Sequence, residues 1–199
     1  MEAPLTILYT GGLRGNLHLL PRLYTFIRTW GMGGQPVPYY LFDLGEACAP
    51  QVWHCAATGG RSALIALDAL GCHAARVTDD LAADVRPKLD ANFLGVALVE
   101  PGRPWQHGPV CAAAGADENV PGTALTVVLA PAPATRLDGR RLHLQAVQGG
   151  QVGRARLTLE PPALLDAAIG ALPAATLPDP TIQAAVDFIL AEARRAAGT

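Results

Sequence analysis

Apolar stretches in the first 80 residues follow two alternating patterns. Runs of aliphatic, aromatic and β-branched residues that stop at glycines or polar turns predict buried strands at Leu5 to Thr10, Tyr39 to Leu44 and Cys72 to Val77. Between them, apolar residues at three- and four-residue spacings predict helices at Leu17 to Trp30 and Arg61 to Leu70. This alternation predicts an α/β fold with a parallel or mixed sheet and right-handed connections.

The segments that follow these strands are rich in glycine and polar residues. Because the carboxyl ends of parallel strands share one edge of a sheet, we expect Gly11 to Gly15, Gly45-Glu46 and Thr78 to Asp80 to line one crevice. Gly71 occupies the position of a C-cap glycine after the second helix. The stretch from Ala47 to Gly60 is interpreted as a loop.

The second half of the chain predicts short strands separated by glycine and proline turns. They lie at Phe93 to Val99, Ala124 to Leu129, Arg141 to Val147 and Val152 to Leu159. The last two are expected to form a hairpin around Gly149 and Gly150. A terminal helix is predicted from Asp179 to Arg195, because Asp179 suits an N-cap and Pro180 the first helical position. Its predicted buried face consists of Ile182, Val186, Ile189, Leu190 and Ala193.

The composition favours one largely buried domain covering residues 1 to 199. Hydrophobic residues make up 50% of the chain and charged residues only 16%, against about a quarter charged in an average soluble domain. The formal net charge of -2 argues against a general nucleic-acid binder, which needs a basic face. The apolar excess predicts an exposed patch, with edge strands such as Phe93 to Val99 and the region around Trp53 and Trp105 as contributors. We therefore expect a homodimer.

Several features predict a cytoplasmic protein with no membrane partner. No apolar run approaches the roughly 20 residues of a spanning helix, and the N-terminus MEAPLTILYT has no basic segment or cleavage site. In a reducing compartment Cys48, Cys55, Cys72 and Cys111 are expected to be thiols. Zinc binding by Cys48, His54 and Cys55 with a fourth ligand is an alternative for that part of the chain.

Five segments carry a family resemblance. They are ILYTGGLRG (Ile7 to Gly15), LFDLGE (Leu41 to Glu46), ALIALDALGCHAARVTDDLA (Ala63 to Ala82), LTVVLAPAPAT (Leu125 to Thr135) and VQGGQVGRARLTLE (Val147 to Glu160). In this order they resemble the strands and loops of the catalytic domain of calcineurin-like metallophosphoesterases, 5'-nucleotidase branch. The family's corresponding loops read Thr-Asn-Asp-x-His-Gly, Leu-Asp-Ala-Gly-Asp, Gly-Asn-His-Glu and Gly-His-x-His, followed by a glycine-rich hairpin. The resemblance implies a truncated metallophosphoesterase-like α/β sandwich of mixed sheets flanked by helices.

The metal ligands of that family are mostly replaced in this chain. The resemblance implies two metal ions, held by carboxylates, imidazoles and an asparagine, that activate a water for attack on phosphorus. The first Asp and His correspond to Gly12 and Arg14, and the bridging Asp corresponds to Glu46. The Asn-His pair corresponds to Asp79 and Asp80, and the late Gly-His-x-His becomes Pro-Ala-Pro-Ala at positions 131 to 134. We therefore expect no metal cofactor.

These replacements leave two readings of the strand-end crevice. The loop amides of Gly11, Gly12 and Gly15, with the Arg14 guanidinium, could hold a phosphate or another small anion without metal. Alternatively the glycines only turn the chain, and Arg14 pairs with Glu46 or Asp79.

The chain is accordingly interpreted as a non-catalytic protein of this fold that works as a binding or assembly module, with a possible anion pocket at Arg14. The alternative is a metal-dependent phosphoric ester hydrolase of the 5'-nucleotidase type with a reduced site. Such an enzyme would use Mn or Mg held by Glu46, Asp79 and Asp80, with Asp43 or His54 as further ligands.

Overall fold

The computed structural model describes residues 4–33, 38–77, 81–91, 94–118 and 120–198. This part of the chain forms two β-sheets and five α-helices. The strands are β1 (Leu5–Thr10), β2 (Tyr39–Asp43), β3 (Ala74–Arg76), β4 (Ala97–Val99), β5 (Trp105–His107), β6 (Val110–Ala113), β7 (Leu125–Ala132), β8 (Arg136–Asp138), β9 (Arg141–Gln145), β10 (Gln151–Leu159) and β11 (Pro162–Ala171). The helices are α1 (Leu20–Phe26), α2 (Trp53–Thr58), α3 (Arg61–Ala69), α4 (Arg86–Ala91) and α5 (Pro180–Ala197). A 3₁₀ turn at Leu17–Leu19 precedes α1, and a π-helical turn at Ile27–Gly31 follows it.

The strands form two mixed sheets. The six-stranded sheet has the order β11-β10-β1-β2-β3-β4, and the five-stranded sheet has the order β5-β6-β7-β9-β8. In the first sheet β1 pairs parallel with β2 and antiparallel with β10. In the second, β7 pairs parallel with β6 and β9, while β8 is antiparallel to β9. The predicted α/β sandwich of mixed sheets flanked by helices is therefore confirmed.

At β1 the six-stranded sheet is buried on both faces. From β1, Leu8 packs into an apolar cluster with side chains of α1, α3 and α5. Ile7 and Tyr9 point the other way, into a second cluster shared with the five-stranded sheet. All residues of β1 are buried, which explains why its sequence is a continuous apolar run and not an alternating one.

Helix α5 agrees closely with the sequence. The Asp179 carboxylate accepts hydrogen bonds from the amides of Thr181 and Ile182, as an N-cap does. Its buried residues are those predicted, Ile182, Val186, Ile189, Leu190 and Ala193. No helix among the described residues has the length and apolarity to cross a bilayer.

The predicted hairpin between the last two strands is wrong. β9 belongs to the five-stranded sheet, whereas β10 crosses to the six-stranded sheet and pairs with β1 and β11. The turn at Gly149 and Gly150 therefore connects the two sheets of the sandwich. The hairpin partner of β10 is β11, a strand that the sequence analysis did not identify.

The segment interpreted as a loop from Ala47 to Gly60 contains helix α2, which ends at Thr58 and is capped by Gly59 in the left-handed conformation. The expectation of four free thiols is also wrong, because Cys48 and Cys55 form a disulfide within this segment. Cys72 and Cys111 are free and buried. Burial raises the pKa of the Cys111 thiol to about 11, so it is protonated at neutral pH.

Some surfaces named for self-association have the expected position. β4 lies at an edge of the six-stranded sheet, as predicted for the strand ending at Val99, although Phe93 lies outside the described residues. Trp53 is exposed on α2, and Trp105 is half-buried on the edge strand β5. The homodimer itself remains a prediction.

Candidate functional site

The loops after β1 and β2 run side by side at the carboxyl edge of the six-stranded sheet. The strands are in parallel register, with Thr10 opposite Asp43. Beyond them, the Gly12 amide donates to the Gly45 carbonyl oxygen (3.0 Å), and the amides of Arg14 and Gly15 donate to the carbonyl oxygens of residues 46 and 47 (both 2.8 Å). These bonds extend the strand pairing into the loops and bring Arg14 next to Glu46.

The same bonds change the predicted anion cradle. The amides of Gly12, Arg14 and Gly15 already donate to backbone carbonyls, so they are not free to bind an anion. An anion at this place would depend on side chains, and the expectation of a cradle made of loop amides is wrong for these three groups.

Asp43 has a structural position below the crevice. Its carboxylate is fully buried and accepts hydrogen bonds from the Thr10 hydroxyl (2.8 Å) and the Gly45 amide (3.0 Å). These bonds give the buried carboxylate hydrogen-bond donors and hold the ends of β1 and β2 together. Asp43 therefore positions the loops, and these contacts do not support its suggested role as a further metal ligand.

Arg14 and Glu46 form an ion pair at the mouth of the crevice. The Arg14 Nε donates to Glu46 Oε2 at 2.8 Å, and Arg14 Nη2 lies 2.7 Å from the same oxygen. The two side chains are 69% and 58% exposed. Among the described residues they are also the non-glycine residues with positive φ, at 49° and 56°. Left-handed backbone costs about 1 kcal/mol or more in such residues, and strain of this kind clusters at functional sites.

The ion pair borders an open cavity of about 480 Å³. Its lining consists of Gly11, Gly12, Arg14, Leu44, Gly45, Glu46, Arg76, Pro131, Ala146, Val147, Gln148 and Gly149. The glycines allow a close approach of two loops, because a Cβ on Gly149 would lie 3.0 Å from the Gly12 carbonyl oxygen. The ionisable side chains among these described lining residues are two arginines and one glutamate, which gives the cavity a positive balance.

Arg76 was missed by the sequence analysis. It is the last residue of β3, half-buried, and lines both this cavity and an adjacent one of about 710 Å³. The second cavity is bordered by the carboxylates of Glu100, Asp117 and Glu118. The sequence did contain a signal, since the end of the third predicted strand belongs to the same sheet edge as Arg14.

The described part of the strand-end site does not fit a two-metal centre. Glu46, the one carboxylate among the described residues that line the cavity, is paired with Arg14, and the late Gly-His-x-His position is occupied by Pro131 and Ala132 at the end of β7. An arginine next to the remaining carboxylate opposes a cation electrostatically. The proposed ligands Asp79 and Asp80 lie outside the described residues.

His54 is not among the residues that line the cavity. It is buried, with Nδ1 2.8 Å from the Ser62 hydroxyl oxygen and Nε2 2.8 Å from the Gly15 carbonyl oxygen. Within the described residues, a group of three potential metal ligands occurs where His54 meets Cys48 and Cys55. The suggested contribution of His54 to a strand-end metal site is not supported by these contacts.

The two mixed sheets and the crevice at the ends of β1, β2 and β3 define the fold class: the chain has the fold of the metallophosphoesterases of the 5'-nucleotidase type. No protein-family model and no curated protein matches the sequence. The fold is shared with a 5'-nucleotidase precursor from Thermus thermophilus, with a TM-score of 0.66 and 13% identity over 97% of this chain and 59% of that one.

Two further solved structures have the same fold. The sulfate thiohydrolase SoxB of Thermus thermophilus, in complex with glycerol, matches with a TM-score of 0.66 and 10% identity over 98% of this chain and 62% of its own. The calcineurin-like phosphoesterase YfkN from Bacillus subtilis matches with a TM-score of 0.64 and 10% identity, over 100% of both chains. The chain thus spans 59% and 62% of the two Thermus proteins.

Proposed function

We propose that this chain is a non-catalytic protein of the metallophosphoesterase fold that binds a small anion, such as phosphate, in the strand-end cavity and works as a binding or assembly module. The observation that carries the proposal is the Arg14 guanidinium, which borders the open cavity while it also pairs with Glu46. It puts a permanent cation at a position where the family resemblance implies a metal ligand.

The charges around the cavity support an anionic ligand. Arg14 and Arg76 contribute two positive charges and Glu46 one negative charge. Arg14 uses Nε and Nη2 on a single oxygen of Glu46, which leaves its Nη1 hydrogens for another acceptor. A guanidinium that is oriented by one carboxylate and open to solvent is well suited to bind a second anion.

The alternative function is a metal-dependent phosphoric ester hydrolase that uses Mn or Mg at Glu46, Asp79 and Asp80. It would require Glu46 to leave Arg14 and coordinate the metal. The contacts of the described residues favour the anion site, and the two functions make opposite predictions about metal.

Phosphate binding measured by isothermal titration calorimetry tests the proposal. We expect wild-type protein at low ionic strength to bind inorganic phosphate, and Arg14→Gln to bind it about tenfold or more weakly, because a charge-assisted hydrogen bond contributes about 1.5–3 kcal/mol. Arg195→Gln is the matched control, since Arg195 is equally exposed (69%) and paired with Glu192 on α5, away from the cavity. It should bind as wild type does.

The same preparations should show no Mn-stimulated hydrolysis of an aryl phosphate. Metal-dependent turnover that disappears in Glu46→Gln would support the hydrolase instead. Equal phosphate affinity of wild type and Arg14→Gln would refute the anion site.

A further inference from the structure

A buried imidazole lies directly against the disulfide of this chain. The Cys55 Sγ is 3.8 Å from His54 Nδ1, and one ligand atom each of Cys48, His54 and Cys55 lie within 4.8 Å of one another. All three residues are buried, with exposed fractions of 6%, 3% and 3%. The Ser62 hydroxyl, 1% exposed and 2.8 Å from His54 Nδ1, adds an oxygen to the group.

The hydrogen bonds of His54 determine its tautomer. The Gly15 carbonyl oxygen can only accept, so His54 Nε2 carries the proton and donates to it at 2.8 Å. In this tautomer the other ring nitrogen, Nδ1, has a lone pair. That lone pair accepts a hydrogen bond from the Ser62 hydroxyl at 2.8 Å, and Nδ1 lies 3.8 Å from the sulfur of Cys55. Metal-binding histidines commonly have this arrangement, with the second ring nitrogen donating to a backbone carbonyl.

The spacing of these atoms is close to that of a tetrahedral zinc site. With Zn–S of about 2.3 Å and Zn–N of about 2.0–2.1 Å, a ligated sulfur and nitrogen lie about 3.6 Å apart. The 3.8 Å between Cys55 Sγ and His54 Nδ1 is near this value. Two ligated sulfurs lie about 3.8 Å apart in the same geometry, so the metal can enter only after the sulfur–sulfur bond has been broken.

We propose that Cys48, Cys55 and His54 form a redox-controlled zinc site, which is closed by the disulfide and opens when the two cysteines are reduced. The fourth position is taken by the Ser62 hydroxyl or a water molecule. This proposal does not depend on the anion site at Arg14, because it uses other side chains.

The chemistry requires two separate steps. A phosphine or thiol reductant supplies two electrons and breaks the disulfide; with a phosphine, one water provides the oxygen of the phosphine oxide and the two protons of the new thiols. Zinc then displaces those two thiol protons and binds the thiolates and the His54 Nδ1 lone pair. Zinc stays divalent throughout, and only sulfur and the reductant change oxidation state.

Cobalt titration of the full chain tests the site, because Co²⁺ reports its ligands spectroscopically. The protein is reduced with a phosphine, desalted without oxygen and titrated with Co²⁺ and then Zn²⁺. We expect one equivalent of cobalt per reduced chain, with thiolate-to-cobalt charge transfer and intense tetrahedral d–d bands that zinc abolishes. The untreated, disulfide-bonded chain should give no charge-transfer band.

Variants assign the ligands. Cys48→Ser should lose half of the charge-transfer intensity, and His54→Gln should weaken cobalt binding about tenfold or more. Cys111→Ala, which removes a free buried cysteine elsewhere, should leave the spectrum unchanged. Circular dichroism checks the folding of each variant, and the comparison of reduced and oxidised wild type needs no variant.

The proposal is overturned if reduced wild type binds no cobalt, or if Cys48→Ser gives the wild-type spectrum. Weak absorption without charge transfer would also overturn it, because that spectrum indicates oxygen ligands such as those of the hydrolase alternative.

Discussion

The substitution Glu46→Gln distinguishes the two candidate functions, because the anion site and the metal site predict different effects on phosphate binding. The substitution keeps the shape of the side chain and removes its charge, so Arg14 loses the carboxylate it now binds. If the cavity holds an anion, Glu46 repels that anion and Glu46→Gln should bind phosphate more tightly. If Glu46 is a metal ligand, the same change should abolish activity and bind phosphate no better.

The size of the gain follows from the exposure of the pair. An anion on the same guanidinium would lie about 5 Å from Glu46, where two unit charges repel by about 0.8 kcal/mol in water and about 3 kcal/mol at an effective dielectric constant of 20. Since the side chains are 69% and 58% exposed, the lower end applies. A change of about 1 kcal/mol corresponds to about fivefold tighter binding.

The assay is calorimetric titration with phosphate at low ionic strength, repeated at physiological salt, where screening should reduce the gain. Urea unfolding should show a change below about 1 kcal/mol, because an exposed ion pair contributes little stability. Unchanged or weaker phosphate binding by folded Glu46→Gln would refute the electrostatic reasoning.

Three other predictions concern the fold. Gly153→Ala should lower the free energy of unfolding by about 3 kcal/mol, because its Cβ would lie 1.9 Å from Cζ of the buried Tyr9 ring; urea unfolding at wild-type stability would contradict this. Burial lowers the pKa of His73, whose Nδ1 accepts a hydrogen bond from a backbone N–H. The stabilisation of the folded state by the neutral ring is therefore present above about pH 6.5 and is lost as the pH falls. His73→Gln should therefore flatten the decline in unfolding free energy between pH 7 and 5, measured by urea unfolding, and an unchanged decline would contradict this. The predicted homodimer should have twice the 20.7 kDa chain mass in light scattering, and a measured mass equal to that of one chain would contradict the prediction.

Some parts of the fold could be predicted because short stretches of sequence specify them. In α5 the N-cap Asp179, Pro180 and the apolar spacing lie within the helix or beside it, and the predicted buried face is the observed one. The buried strands β1 and β2 were likewise predicted from continuous apolar runs. Their parallel order predicted that the two following loops share one crevice, and the pairing of Arg14 with Glu46, given as one alternative for that crevice, is the contact observed.

Other parts depend on which segments meet in three dimensions. Gly149 and Gly150 predict a turn, but whether β10 returns to β9 or crosses to β1 depends on the burial of both sheet faces. Contacts between loops decide which backbone carbonyls accept hydrogen bonds from the loop amides. They also decide whether Cys48 and Cys55 form a disulfide. No local pattern specifies these.

The sequence by itself determined the helices and strands whose periodicity is local and the edge of the sheet where a site would form. The tertiary structure decided the partner of β10, the presence of Arg76 at the cavity and the contact of His54 with the disulfide. The physical reason is the range of the interactions. Periodicity and capping act over a few residues, whereas strand pairing and site assembly require distant segments to be buried together.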